Sequence, residues 1–404
     1  MNTKISTILA GVLACCCTVS AHSQERPPHP APAQACLAPA TWYTLTGDQP
    51  RAQPAPDLLA EFAKRDVILL GEQHDDADDH RWQLQTLAAL HLLRPQMVIG
   101  FESFPRRVQP VLDKWIAGEL SVKQFLEQAE WEKVWSFPPE LYLPLFQFAR
   151  INRIPMVALN VERTLTGTIT KNGWDAVPAD QKEGVSRPAQ PSAAYRDSLF
   201  EAYRQHPRIA GKEPGAANKD EAEFRFFVES QTTWDRAMAE ALARRVDAGQ
   251  GTQRPLVVGI MGVGHVRYGY GVPHQLRDLG VSSIGTLLPV DAKQDCRQIK
   301  AGLADAVFAI PGAPADKPPP PRMGVQIEAV DGGVRLLEVH ADSLAEKTGL
   351  RRGDVIVSIA GSPVTKMSSV IAAVRAQPAG TWLPLEIRRN AETLEFVVKF
   401  PPQK

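Results

Sequence analysis

The chain is poor in cysteine and shows no excess of charge of either sign. Of its five cysteines, Cys15, Cys16 and Cys17 crowd the N-terminus, which leaves Cys36 and Cys296 for a folded body of several hundred residues. That excludes a small scaffold held together by disulfides and any cysteine-built metal module. Lys and Arg together number 45 and so do Asp and Glu, so the net charge is zero. Neither nucleic acid nor an anionic membrane is favoured as a partner by such a balance. No apolar run is long enough to cross a bilayer as a helix. The N-terminal apolar stretch without charge, Ile5 to Val19, falls short of the roughly 20 residues a span needs.

That stretch reads as an export signal, with Lys4 before it and small residues after it. Two processing routes fit residues 1–21. Val19-Ser20-Ala21 suits signal peptidase, and Val12-Leu13-Ala14-Cys15 suits lipidation at Cys15. Both place the protein in the periplasm or anchored at the outer membrane. Cys36 and Cys296 bracket the first domain and are either a disulfide closing a very long loop or two free thiols.

Proline is plentiful and marks the joints. Residues 22–35 form a proline-rich tether, and residues 309–321, ending in Pro318 to Pro321, form a stiff extended linker. They delimit a domain at 36–308 and a second at 322–402. At 404 residues, two domains are expected on length alone.

The first domain alternates buried-type apolar runs with helical patterns. Strands are expected at 67–70, 97–101, 156–159, 256–261 and 283–288, and helices at 78–93, 107–117, 122–128, 141–152 and 224–248. This order predicts an α/β fold with a largely parallel sheet flanked by helices. Parallel strands end on one side, and ligands bind outside those ends. Gly71-Glu-Gln-His74 and Gly262-Val-Gly-His265 each follow a strand and share a glycine-to-histidine spacing. Glu102 and Ser103 follow the second strand, Asn160 the third, and Arg267, Tyr268 and Tyr270 trail His265.

The expected convergence makes Glu72, His74, Glu102 and His265 the candidate catalytic cluster. Two imidazoles with a carboxylate also suit a divalent metal, with His74, His265 and Glu72 as ligands. Asn160 and Arg267 are candidate binding groups. Asp75, Asp76, Asp78 and Asp79 begin the first long helix, where capping and the helix dipole account for them. His80 and His91 lie further along that helix and read as structural.

Leu-Gly-Glu-Gln-His-Asp, Ile-Gly-Phe-Glu-Ser-Phe, Val-Ala-Leu-Asn-Val-Glu-Arg, Thr233-Trp-Asp-Arg-Ala-Met-Ala and Gly262-Val-Gly-His-Val-Arg-Tyr-Gly-Tyr-Gly-Val-Pro occur in that order. Together they resemble the ChaN family of bacterial haem-binding, iron-uptake-associated proteins, within the wider Tiki, TraB and erythromycin-esterase superfamily. The resemblance implies haem held between two protomers, with a tyrosine on the iron and basic groups on the propionates. Tyr195, Tyr203, Tyr268 and Tyr270 are the candidate phenols; Tyr268, beside the histidine motif, is preferred, with Tyr270 next. His206 and Lys212 are candidates for the propionates. The esterase-like and Tiki-like relatives imply instead a metal-dependent or general-base hydrolase built on Glu72, His74, Glu102 and His265. The absence of Cys-x-x-Cys-His excludes covalent c-type haem, and that of His-Glu-x-x-His disfavours a zincin.

Residues 322–402 carry a second signature, Ser343-x-Ala-Glu-Lys-x-Gly-Leu-x-x-Gly-Asp-Val-Ile. It resembles a bacterial PDZ domain, a small α+β fold that adds a partner's C-terminal peptide as an extra strand. The resemblance places the peptide carboxylate at the amides of Met323, Gly324 and Val325. The expected partners are therefore haem, a second copy of the chain, and an envelope protein or peptide C-terminus.

Overall fold

The computed structural model describes residues 37–45, 47, 49–135, 137–204, 218–247, 254–295, 297, 299–311, 321–390 and 392–402. Eight strands build the first sheet: β1 (Thr41–Thr44), β2 (Arg51–Gln53), β3 (Val67–Glu72), β4 (Met97–Pro105), β5 (Met156–Asn160), β6 (Leu256–Gly262), β7 (Ile284–Asp291) and β8 (Ala306–Ile310). Their order is β2-β1-β8-β7-β3-β6-β4-β5. From β8 to β5 all pairs are parallel, and β1 and β2 add an antiparallel edge. Every residue of β3, β4 and β6 is buried, as strands covered on both faces require. One layer of core, including Trp82, Phe101, Phe146 and Ile260, lies under the Ala77–Leu93 and Pro139–Ile151 helices. The other, including Leu69, Val257, Met261 and Leu242, lies under the Ala222–Asp247 and Val272–Asp278 helices.

The strand order decides what meets at the rim. β6 inserts between β3 and β4, so Gly71 faces Met261 and Glu72 faces Gly262 across one ladder, while Phe101 faces Ile260 across the other. Two motifs distant in sequence thus become neighbours. Their glycines have a packing reason. A Cβ on Gly71 would stand 2.2 Å from a methyl of Leu288, and one on Gly262 would stand 2.9 Å from Cε1 of His74. The strand ends are bare so that side chains of adjacent segments can lie on them.

The Ala77–Leu93 helix begins as its acidic run implies. Asp76 caps it, accepting from the Asp78 and Asp79 amides at 2.8 and 3.4 Å. Asp79 folds back to accept from the Gln73 amide at 2.7 Å, which pins the turn carrying His74.

The C-terminal sheet is antiparallel: β9 (Val325–Val330), β10 (Gly333–Val339), β11 (Val355–Ile359), β12 (Ser362–Pro363), β13 (Trp382–Arg389) and β14 (Glu392–Lys399). The order is β14-β13-β11-β10-β9, with β12 beside β11, so β9 presents a free edge. Val334, Leu336, Ile356, Leu385 and Ile387 fill its core together with Val370 and Val374 of the Met367–Arg375 helix. Asp354, buried, is held by the Arg389 guanidinium at 2.7 and 2.8 Å.

Candidate functional site

Glu72, His74, Glu102 and His265 do converge at the carboxyl rim of β3, β4 and β6. Glu102 is buried and its Oε2 accepts from the Gly262 amide at 2.7 Å. Its Oε1 lies 3.5 Å from Nε2 of His265, is buried, and has no hydrogen-bond partner among the described residues. His265 in turn bonds Asp235 through Nδ1 at 2.6 Å. On the other side, Nδ1 of His74 is 2.8 Å from Oε1 of Glu72, an oxygen that also accepts from the Tyr142 hydroxyl at 2.7 Å. Gln83 donates to Oε2 of Glu72 at 2.9 Å. Two polar chains therefore meet at the rim, Tyr142–Glu72–His74 and Glu102–His265–Asp235, and the charges of His74 and Glu102 couple them. The latter ends at Tyr195, whose hydroxyl donates to the second Asp235 oxygen at 2.7 Å.

The electrostatics follow from burying opposite charges together. Burial alone would strip the proton from His265, but Glu102 and Asp235 outweigh it and push its pKa up to about 10. His74 is raised against the same burial penalty, through Glu72 and Glu102. Burial would raise Glu102, yet the two imidazoles, His265 foremost, hold it below the ordinary carboxylate range. Asp79 is pushed up to about 7, mainly by burial and despite its bond from Gln73, with Asp76, Glu72 and Asp78 adding repulsion.

Aromatic rings wall this rim. Trp135 and Phe137 flank His74, with ring centroids at 4.8 and 5.1 Å, and Trp234 lies 5.0 Å from His265. The indole nitrogens of Trp135 and Trp234 and the Ser103 hydroxyl are buried without a partner among the described residues.

The expected divalent metal on His74, His265 and Glu72 finds no support in the arrangement of these groups. Among the described residues no group of three His, Cys, Asp or Glu side chains is disposed to hold a metal ion. The reason is visible in the donor set. Tyr142, His74 and Gln83 occupy the Glu72 oxygens, and His265 is bonded to Asp235 and turned towards Glu102.

The tyrosines sort themselves. Tyr195 and Tyr203 are buried and donate to Asp235 and Glu221, and burial raises both phenols, reinforced by those carboxylates. They are poor phenolate candidates. Tyr268 and Tyr270 are half-buried, their rings 5.4 Å apart, with Tyr270 lying 5.7 Å from Tyr195. Tyr268 sits in the left-handed region at φ 58°, an unfavourable conformation for a ring-bearing residue. Arg267 reaches from the same turn to the Ser198 hydroxyl at 3.2 Å. His206, Lys212, Cys36 and Cys296 lie outside the described residues.

Asn160 bonds backbone groups on both sides of its strand end. Its amide donates to the Glu102 carbonyl at 2.9 Å and its oxygen accepts from the Val161 amide at 2.8 Å, so it ties β5 to β4. His80 is structural, as expected, but close to the site: it is buried, bonds Gln83 and the His74 carbonyl, and lies 3.4 Å from Glu72. Sequence reasoning missed Asp235, Tyr142, Trp135 and Trp234. Asp235 and Trp234 belong to the Thr233-Trp-Asp-Arg motif, which was the available signal. Tyr142 lies mid-helix with no local mark.

In the C-terminal domain, Met323 is buried and Gly324 has φ 77°. Their carbonyls accept from Ala345 and His340, and their amides donate to nothing among the described residues. The segment leads into the free edge of β9, and Met367 and Ile371 stand exposed one helical turn apart on the nearby helix.

This is an α/β domain with a buried ionic network at its strand ends, followed by a domain built for strand addition. Comparison with known proteins agrees. The family model described as haem-binding uptake, Tiki superfamily, ChaN matches residues 58–276, and a PDZ domain model matches residues 321–400. The first match covers more than half of the chain, and the chain belongs to that family. Among solved structures, that of cofacial haem binding to ChaN of Campylobacter jejuni covers 66% of this chain and 96% of that one, at 20% identity and TM-score 0.48. The HtrA3 PDZ domain bound to a phage-derived ligand (FGRWV) covers 19% of this chain and 82% of that one, at 26% identity and TM-score 0.18. Serine protease HTRA1 of Xenopus tropicalis is 42% identical over 66 residues, 16% of this chain and 14% of that protein. The regulator of sigma-E protease RseP of Salmonella typhimurium is 41% identical over 75 residues, 19% of this chain and 15% of that protein. The chain thus spans only a small part of these curated relatives.

Proposed function

We propose that this chain is an exported haem-binding accessory of iron uptake, periplasmic or anchored at the outer membrane. Its PDZ domain docks it to the C-terminus of an envelope partner. Membership of the haem-binding uptake family supports the ligand class. The observation that carries the reading is the Tyr268–Tyr270 turn. Both phenols are half-buried, neither hydroxyl bonds a protein group among the described residues, and Arg267 begins the same turn with its guanidinium on the Ser198 hydroxyl. These residues fit haem: a phenolate from Tyr268 or Tyr270 for the iron and Arg267 for a propionate. The family resemblance supports a dimer formed around haem. The free amides of Met323 and Gly324 beside the open edge of β9 support peptide docking.

Haem titration of the processed protein, followed by absorbance with parallel sizing, tests this. Saturable growth of a phenolate-type Soret band, dimer formation, and loss of the band in Tyr268→Phe or Tyr270→Phe are expected. Absence of a specific band would overturn the haem reading.

One observation favours a second reading, an envelope hydrolase whose PDZ domain recruits substrate tails. The Oε1 of Glu102, without a hydrogen-bond partner among the described residues and 3.5 Å from His265 Nε2, is suited to orient a water. Ester or peptide cleavage abolished by Glu102→Gln would establish it.

A further inference from the structure

A second site lies along β5, where that strand closes the sheet. A cavity of about 400 Å³ opens there, lined by Val157 and Ala241 on one face of the sheet, by the edge of β5 at Ala158, and by Arg106, Arg244 and Arg245. It is not a groove for an added strand. Gln109 already takes the outer edge of β5, donating to the Met156 carbonyl at 2.8 Å and accepting from the Ala158 amide at 2.9 Å. Nor does it belong to the ionic network. Arg244 lies nine residues beyond Asp235 on the same helix, about 14 Å along its axis.

The charge around this cavity is unbalanced. Arg106 donates to the carbonyls of Glu183 and Ala237 at 2.6 and 3.1 Å and to Glu240 at 3.3 Å. Its Nε is buried and has no partner among the described residues. Burial, and then the like charge of Arg244, make its proton easier to lose than an arginine's ordinarily is, against the pull of Glu240. Glu240 shares its carboxylate among Arg106, Arg236, Arg244 and the Ser186 hydroxyl, and Glu183, which accepts from the Glu162 amide, adds a second negative charge near Arg106 against the three guanidinium groups of the cavity. Arg245 forms no ion pair among the described residues, and Arg244 is more than half exposed, at 3.8 Å from Glu240. Guanidinium forks gathered without enough carboxylate make an oxyanion cradle.

We propose that this cavity binds a small organic phosphate. Its oxyanion would lie on Arg244 and Arg245, with the charge of Arg106 behind them, and its apolar body against Val157 and Ala241. A bare phosphate would leave most of the volume and the apolar wall unused.

The test is calorimetric titration of the full chain with phenyl phosphate and with inorganic phosphate, at fixed ionic strength. Phenyl phosphate is expected to bind saturably at one per chain, several-fold more tightly than inorganic phosphate. The Arg244→Gln/Arg245→Gln double variant is expected to weaken it at least tenfold. Arg106 is left alone because it ties two backbone carbonyls. Both altered side chains reach solvent, so an unchanged melting temperature and unchanged haem uptake by the double variant should accompany the loss. Failure of haem uptake in the parent would bear on the haem reading and leave this result intact. No saturable binding of phenyl phosphate, or equal binding by the double variant, would overturn the site. Equal affinity for inorganic phosphate would overturn the role of the apolar wall.

Discussion

Asp235→Asn removes one of the two charges that keep His265 protonated, the other being that of Glu102. Asp235 is fully buried, with one oxygen 2.6 Å from His265 Nδ1 and the other accepting from Tyr195. Asparagine keeps the shape and an acceptor for the imidazole but removes the negative charge. A hydrogen bond between charged partners contributes roughly 1.5–3 kcal/mol, so the substitution should lower the His265 pKa from about 10 by one to two pH units. A base whose folded pKa is raised stabilises the fold fully below its unfolded pKa, 6.5 here, and loses that contribution as pH rises through about 10. Wild type should therefore lose stability across that window, and the variant should enter it already weakened. The penalty of Asp235→Asn is expected to be about 2 kcal/mol larger at pH 6.5 than at pH 10.5. Urea unfolding at both pH values measures it, followed by tryptophan fluorescence, since every tryptophan but Trp382 lies in the first domain. Imidazole titration by NMR gives the pKa directly. An equal penalty at both pH values, or a wild-type His265 titrating near 6.5, would refute the ionic account of the site.

Three further outcomes are expected. Asp79→Asn should remove a stability loss that wild type suffers as pH rises from about 4 through about 7, because the raised carboxyl favours the fold only while protonated. The difference in unfolding free energy between pH 5 and pH 8 should shrink by roughly 2–3 kcal/mol relative to wild type. Gly71→Ala should destabilise the first domain by about 1–3 kcal/mol, since its methyl meets Leu288 at 2.2 Å; a thermal melt resolves this. Gly324→Ala places a methyl 2.4 Å from Cβ of Ser343 in a left-handed turn, and should weaken capture of C-terminal peptides in a fluorescence binding assay, with haem uptake unchanged.

Much of the scaffold was legible because buried parallel strands are written as continuous apolar runs. The expected strand at 67–70 proved to be Val67–Glu72 and that at 256–261 proved to be Leu256–Gly262. The short antiparallel edge, β1 and β2, was not anticipated. Thr41–Thr44 and Arg51–Gln53 are too brief to carry a period and become strands by pairing with β8 and with each other.

By itself the sequence determined which chemical groups could reach the rim, because a glycine that ends a buried strand and a histidine three residues on occupy fixed places relative to that strand. It also determined the domain signatures, and the capping role of the aspartates before the Ala77–Leu93 helix. The tertiary structure alone decided which groups meet. Asp235 reaches His265 because the Ala222–Asp247 helix packs across the sheet, and Tyr142 reaches Glu72 because its helix covers the other face. The same packing decided that the Glu72 oxygens are taken by protein donors and that Glu102 keeps one oxygen free. Such contacts depend on the order of strands in the sheet and on which helix covers each face, and no local spacing along the chain encodes either.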